Sequence, residues 1–405
     1  MKTKLAIGVL LLAAAAFAAW KLGSSPRPAS SPAPSVAESP DAPGTSKPAA
    51  DLPLIKVGHV GHDHQIALFV AALDAPYFKK NYGVWLEERK LREVFDLMKG
   101  GRRLARIQIV KIGGGSRMPA AMERGDVQVG FGGIAAFMFF IDKGVPLRVI
   151  SPLHTGGDML VVRKDIEVSD WKGFLEYVRN SEKAVRIGYK APVAVAKVIF
   201  ERALAAEGIP CSSAGGEEKP GSVVLVNLQG GKNMVPSLEA GVVDGFVMNQ
   251  PQVSQAKVRG IGRVVCNLSD LPPDSMWKSH PCCCVAANLD TIRDYPDALE
   301  ALLELVVLAT ERINADKALA VELTSRWTRL PVEVERDSVP SIPYLAEFTP
   351  DYLKGLENWA KTMNELGLFK GALKGLSGDA MLKAVCDMSL LERARAELKK
   401  RGLLK

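Results

Sequence analysis

The stretch Ile109–Gly133, IVKIGGGSRMPAAMERGDVQVGFGG, reads as a short apolar strand, a glycine turn, a helix beginning near Ser116, a glycine stop at Gly125 and a second strand. The same phrase returns at an offset of 116 residues. In Val226–Asn249, VNLQGGKNMVPSLEAGVVDGFVMN, the pairs Gly114/Gly230, Gly115/Gly231, Met118/Met234, Glu123/Glu239, Gly125/Gly241 and Val127/Val243 share one ungapped register. Two strand–helix–strand units so far apart predict two similar lobes. In each copy a glycine pair stands where strand hands over to helix, so backbone N–H groups and the positive end of the helix dipole face whatever lies in front. That suits an anionic or carbonyl-bearing small ligand. One such turn is an ordinary α/β connection; the duplication is what points to two lobes facing one cleft.

Working outward, the chain of 405 residues is 47% apolar and 24% charged, enough for two domains with their own cores. The formal charge is +7, of which five Lys/Arg against two Asp/Glu in residues 1–50 supply +3. The remaining +4 gives no footprint for nucleic acid. Lys2 and Lys4 precede LAIGVLLLAAAAFAAW, the charged and apolar regions of an export signal, with Ala16-Phe17-Ala18 as a cleavage site. Residues 1–22 are therefore expected to be a signal peptide or an N-terminal membrane anchor, placing the protein in the periplasm or another extracytoplasmic space. Residues 23–52, rich in Pro, Ser and Ala, are expected to be a disordered tether.

The folded part divides into a first part of lobe 1 at 53–155, lobe 2 at 156–280, and a return to lobe 1 with a helical tail at 281–405. From Leu54, IKVGHVGHDHQIALFVAAL predicts a strand, a histidine-rich loop and an amphipathic helix capped by Asp63 and ending near Asp74. Residues 79–106 hold nine Lys/Arg against four Asp/Glu and place Trp85, Leu91, Phe95 and Met98 at helical spacing, which predicts an added helix with a solvated face. PLRVISPLHTGGDMLVVRKD predicts two strands broken at His154-Thr155-Gly156-Gly157, a crossover between lobes. Cys282–Ala287 predicts the returning strand, with Cys282 and Cys284 facing one way and Cys283 the other. The alternation of strands and helices indicates an α/β fold with mostly parallel sheets plus C-terminal helices.

Ligands of open parallel sheets bind at the carboxyl ends of strands. At predicted strand ends stand His59, His62, Asp63, His64 and Gln65, then Gly114, Gly115 and Ser116, Gly132 and Gly133, His154, Thr155 and Gly156, Asn249 and Gln250, and Cys282. Together they are the expected ligand-binding set. Neutral imidazole ligates transition metals and imidazolium pairs with anions, so His62 and His64 are also metal candidates. The six cysteines match neither a disulfide framework nor a zinc ribbon, and no Ser/His/Asp, Walker-type or HExxH pattern occurs. No catalytic residue and no cofactor is called for.

The order strand-loop-ALFVAALDAPYF, GGGS-MPAAMERGDVQVGF, GVPLRVISPL, LEAGVVDGFVMNQP, HPCCCVAANLDTIRDYPDALEALL and a helical tail resembles, over roughly residues 54–370, the periplasmic substrate-binding proteins of ABC importers. Within them it is similar to the nitrate/sulfonate/taurine branch, which includes binders of thiamine-pyrimidine precursors. The resemblance implies a type II periplasmic-binding-protein fold, a small ligand held between lobes, an ABC permease as membrane partner, and a non-enzymatic protein expected to act as a monomer. Two features depart from that pattern: the insert at 79–106 and the three histidines of the first loop. The cysteine run is similar to that of fungal pyrimidine synthases with the same fold, so a His/Cys enzyme is the alternative, beside a membrane-anchored ligand or metal sensor.

Overall fold

The computed structural model describes residues 52–404 except Gly115, Ser116 and Asp274; the expected signal segment and nearly all of the tether lie outside them. Among the described residues no helix is long and apolar enough to cross a membrane. The strands are β1 (Leu54–His59), β2 (Val84–Lys90), β3 (Val94–Lys99), β4 (Arg102–Lys111), β5 (Val129–Gly133) and β6 (Leu147–Pro152). Then come β7 (Asp158–Arg163), β8 (Val185–Tyr189), β9 (Cys211–Ser213), β10 (Val223–Asn227), β11 (Gly245–Asn249), β12 (Gly262–Asn267) and β13 (Cys283–Asn288). They form a seven-stranded sheet of order β2-β3-β4-β1-β5-β13-β6 and a six-stranded sheet of order β12-β7-β11-β8-β10-β9.

Both sheets are mixed: the six-stranded sheet is mostly parallel, as expected, and the seven-stranded sheet mostly antiparallel. β4-β1-β5 and β11-β8-β10-β9 are parallel, while β2-β3-β4, β5-β13-β6 and β12-β7-β11 are antiparallel. The antiparallel strands near the β6 and β12 edges follow from the chain's traffic: it leaves the first sheet at β6, enters the second at β7, and returns from β12 to β13. Each lobe thus takes an edge from the crossovers.

The duplication is kept in the fold at the same offset. Helices Met118–Glu123 and Met234–Glu239 and strands β5 and β11 match residue for residue, and Gly114 and Gly230 share an unusual backbone, with φ +151° and +142°. Strand glycines make room for the helix of the first copy: a Cβ on Gly58 would lie 2.6 Å from Met118 Sδ, and one on Gly130 2.6 Å from Met122 Sδ.

Three expectations fail on the first lobe. The segment 79–106 is only briefly helical, to Tyr82, and then becomes the hairpins β2-β3-β4. Its apolar residues alternate as a strand requires, with Ala105, Ile107 and Ile109 buried along β4, and Gly100-Gly101, at φ +56° and +78°, form the tight turn that joins β3 to β4. Its arginines are spent inward, since fully buried Asp96 accepts from Arg89 (2.8 Å), Arg106 (3.0 Å) and Arg103 (3.4 Å). Helix Ile66–Leu73 is not amphipathic: residues 66–72 are all buried, enclosed by helices Pro296–Ala315 and Lys317–Thr328. Asp63 does not cap it, lying instead in the 3-10 turn Asp63–Gln65 with no capping hydrogen bond.

The tail helices cover the seven-stranded sheet, led by Pro296–Ala315, whose Leu302, Leu303, Leu305 and Val306 are buried. Val332–Ser338 also reaches the six-stranded lobe, through Ser254 Oγ donating to Asp337 (2.8 Å) and an ion pair from Lys257.

Two stability measurements check this reading. At Gly230, φ +142° and ψ 153° lie where a Cβ is excluded although nothing stands within 4 Å of one. Gly230→Ala is therefore expected to lower unfolding free energy by roughly 1–3 kcal/mol in urea titration, a purely backbone cost. His59 is buried edge-on between Phe69 and Trp327, and burial, aided by Lys111, pushes its pKa down from 6.5 to about 4. The unfolded chain thus takes up a proton here that the folded chain refuses, so this contribution is present above pH 6.5 and is lost as pH falls toward 4. Between pH 7.5 and 5 it amounts to about 2 kcal/mol, and His59→Phe should flatten the pH dependence of the urea midpoint by that much.

Candidate ligand and metal site

Three segments that leave strand ends meet at one edge of the seven-stranded sheet. The loop after β1 carries His62 to Gln65, the β6–β7 crossover carries His154 to Gly157, and the stretch entering β13 carries His280 to Cys282. The crossovers are stitched side by side by a Thr155–Pro281 bridge and by Gly156 N–H donating to His280 O (3.0 Å). Gly156 and Gly157 take φ +58° and +81°, and a Cβ on Gly157 would lie 2.8 Å from His64 Nε2. Only glycine lets the crossover pass so near the ring.

Inside this junction His64, His154, Cys282 and Cys283 are buried, with one donor atom from each lying within 4.8 Å of all the others. Cys282 Sγ is 3.4 Å and Cys283 Sγ 3.9 Å from His64 Nδ1, while Cys284 turns away to Gly132 O at 3.8 Å. The expected pairing of Cys282 with Cys284 fails because β13 begins only at Cys283, and strand alternation does not extend to the turn before it. The other ring nitrogens are held by backbone: His64 Nε2 lies 3.2 Å from Gly157 O and His154 Nδ1 3.2 Å from Thr155 O. His154 Nε2 is left buried without a partner. His62 lies edge-on to His64 at 5.4 Å between ring centroids.

Burial holds His62 and His64 far below the usual imidazole range, so both are neutral at pH 7. Burial likewise raises Cys282, while the hydrogen bond from Cys282 draws Cys283 down to about 6 against its own burial, with His154 and Lys190 acting in the same direction. Lys190 follows β8, bonds to the Asn249 side chain at the end of β11, and depresses His62, His64 and Cys283 through space. Asp158, the first residue of β7, sits 3.4 Å from His280 Nε2, whose Nδ1 lies 2.8 Å from Trp277 O.

The expected site residues divide. His62, His64, His154, Thr155, Gly156 and Cys282 are brought together, and Gly133 lies beside the cysteines in the β5–β13 ladder. Gly132 and Gly133 end β5 rather than follow it. Gln65 is a brace, accepting from Val60 N–H (2.7 Å) and donating to Phe131 O (2.6 Å). Gln250 is another, bonded to Ser341 and Ser254. Asp63 docks the tail: its carboxyl accepts from Ser338 and its carbonyl from the Tyr344 hydroxyl (3.1 Å). Burial and the neighbouring Glu335 push Asp63 well above the usual carboxyl range, so it carries a proton and offers no anionic ligand. Gly114 hydrogen-bonds to its near neighbours Ile112 and Arg117 (both 2.9 Å), and Gly115 and Ser116 lie outside the described residues. Lys190 and Asp158 were not in the expected set; each adjoins a strand end, a position searched for histidines and turn residues but not for charges. A cavity of about 580 Å³ that includes Lys257 and Asp337 shares only Gln250 with the expected set.

Comparison with known proteins agrees with this architecture. The ligand-binding component of an ABC-type import system from Staphylococcus aureus, with zinc bound, superposes with a TM-score of 0.65 at 14% identity, over 84% of this chain and 99% of that one. The periplasmic nitrate-binding protein NrtA from Synechocystis PCC 6803 gives 0.61 at 15% identity, over 86% and 90%. The alkanesulfonate-binding protein SsuA from Xanthomonas axonopodis pv. citri, bound to MOPS, gives 0.60 at 14% identity, over 83% and 99%. The fold is that of the periplasmic binding proteins, as the resemblance implied. In sequence, an uncharacterized protein of Methanocaldococcus jannaschii is 36% identical over 107 residues, 26% of this chain and 74% of that protein. The nitrate/nitrite binding protein NrtA of Nostoc is 24% identical over 182 residues, 43% of this chain but only 38% of that protein's length. Residues 50–326, more than half of the chain, match the model of the NMT1-like family, and the chain belongs to that family.

Proposed function

We propose that this chain is an exported solute-binding protein that captures a small anionic or polar molecule between its two lobes and delivers it to an ABC permease. The observation that carries this reading is the placement of Lys190 and Asn249, at the carboxyl ends of β8 and β11, across from the histidine loop at the carboxyl end of β1. Among the described residues Lys190 bonds to an uncharged amide and pairs with no carboxylate. It faces imidazoles that burial keeps neutral, and among the described residues the one acidic group of the junction that feels its charge is the Cys283 thiol. An oxyanion, a sulfonate or a polar heterocycle would satisfy the lysine, and only 6% of the chain is aromatic, few rings for stacking on a sugar. The names of the neighbours, nitrate-binding and alkanesulfonate-binding, lie in the same chemical range.

Thermal-shift screening of the purified chain is expected to find stabilisation by nitrate, alkanesulfonates, bicarbonate or pyrimidines and none by sugars. Stabilisation by sugars alone would sink the proposal. For the compound found, Lys190→Met should weaken binding at least tenfold, about 1.4 kcal/mol or more, while Lys164→Met should leave it unchanged. Small-angle scattering should show the radius of gyration falling on binding, as hinge closure at the two crossovers requires. Cells lacking the protein should lose uptake of the same compound.

A further inference from the structure

The junction holds more than a cation facing a cleft. We propose that His64, His154, Cys282 and Cys283 form a tetrahedral binding site for a thiophilic transition-metal ion of the Zn2+ class. The inference goes beyond the solute reading, because all four ligands come from the first loop, the β6–β7 crossover and the start of β13 with the residue before it, and none from the strands of the six-stranded sheet.

The spacing fits. With bonds of about 2.3 Å to sulfur and about 2.0 Å to nitrogen, the donors of a tetrahedral centre stand about 3.3–3.8 Å apart. Two measured edges are 3.4 and 3.9 Å, and every edge is within 4.8 Å, so shifts of about 1 Å close the set on an ion.

The imidazoles are oriented for it. A metal-bound histidine commonly donates its second N–H to a carbonyl or carboxylate, which fixes the tautomer and turns the other nitrogen's lone pair inward. Gly157 O receives His64 Nε2–H and Thr155 O receives His154 Nδ1–H, leaving His64 Nδ1 and His154 Nε2 facing the thiols. His154 Nε2, buried and without a hydrogen-bond partner, is a cost that an ion would remove.

The sulfurs are positioned by backbone: Cys282 O accepts from Ile134 N–H (2.8 Å) and Cys283 O from Leu153 N–H (3.1 Å). The break in alternation before β13 then brings two consecutive thiols to one side. On binding, any sulfur still protonated gives its proton to solvent and each sulfur forms one bond to the metal as a thiolate, with no change of oxidation state. The two thiolates cancel the charge of a divalent ion, so the occupied centre is neutral, as a fully buried site requires. Soft thiolates with imidazole select zinc over the hard cations magnesium and calcium.

The test uses the full chain, purified under a phosphine reductant, stripped with chelator and titrated with Co2+ as a spectroscopic stand-in for Zn2+. One equivalent should produce the strong visible bands of tetrahedral cobalt together with a near-ultraviolet thiolate-to-cobalt charge-transfer band. Zn2+ should abolish both and raise the melting midpoint of the chain. Cys283→Ala should cut the charge-transfer intensity to roughly half and weaken Zn2+ binding at least tenfold, whereas Cys284→Ala, whose thiol points to Gly132, should change neither. If parental protein gives no thiolate band, or if the band survives when Cys282 and Cys283 are both alanine, the site is overturned. The first of these results needs no variant to fold, and neither depends on which solute the cleft takes.

Discussion

The contact on which the functional edge depends is the passage of the Gly156–Gly157 backbone against the His64 ring. Both glycines lie at positive φ, and the second leaves no room for a side chain. With the crossover held there, the Gly157 carbonyl fixes His64 Nε2, and the ring's other nitrogen is presented to Cys282 and Cys283. The next residue, Asp158, opens β7 and meets His280, so the same few residues also tie the first crossover to the second. A bulkier residue at 157 would push the crossover off the ring, and histidine, cysteines and the six-stranded sheet would lose their common reference point.

The internal duplication explains why there are two lobes but not what they bind. Its copies agree in helix length, strand length and backbone at Gly114 and Gly230, yet the histidine–cysteine cluster is drawn from other segments. The copies diverge where they end. β5 closes on Gly132-Gly133, paired with Cys284 and Cys283 of β13, and β11 closes on Asn249, which bonds to Lys190 and is followed by Gln250, a brace to the tail. A shared unit supplies the strand edge, and the residues just past it supply the chemistry.

This pattern sets how far sequence reasoning could reach. The repeat, the break after β6, the returning cysteine strand and the histidine loop were legible because each is a local pattern of period, glycine and residue type. The three-stranded insert was not, because Trp85, Leu91, Phe95 and Met98 also fit a helical period, and the alternation at Ala105, Ile107 and Ile109 fell mostly beyond the window read as a helix. Gly100-Gly101, a pair that suits a helix stop as well as a turn, is the hairpin turn between β3 and β4. The role of Asp63 was hidden by distance: Ser338 and Glu335, which bury and protonate it, lie more than 270 residues away. For the cysteines, strand periodicity was applied one residue too early, which separated the two thiols that the structure joins.

The electrostatics of the junction bear on whether solute and metal could be held together. Burial keeps His62 and His64 neutral and Asp63 protonated, and Asp158 lies against His280, so among the described residues Lys190 bonds only to the Asn249 amide and acts through space on the Cys283 thiol. An ion bound by two neutral imidazoles and two thiolates would add no net charge beside it, so the attraction of Lys190 for an anion would remain. A histidine-only site would instead leave the ion's double charge exposed to the ammonium, which at such range in a buried setting repels strongly. The cysteines thus decide compatibility: with them, the proposed metal centre would leave untouched the attraction of Lys190 on which the proposed anion binding rests.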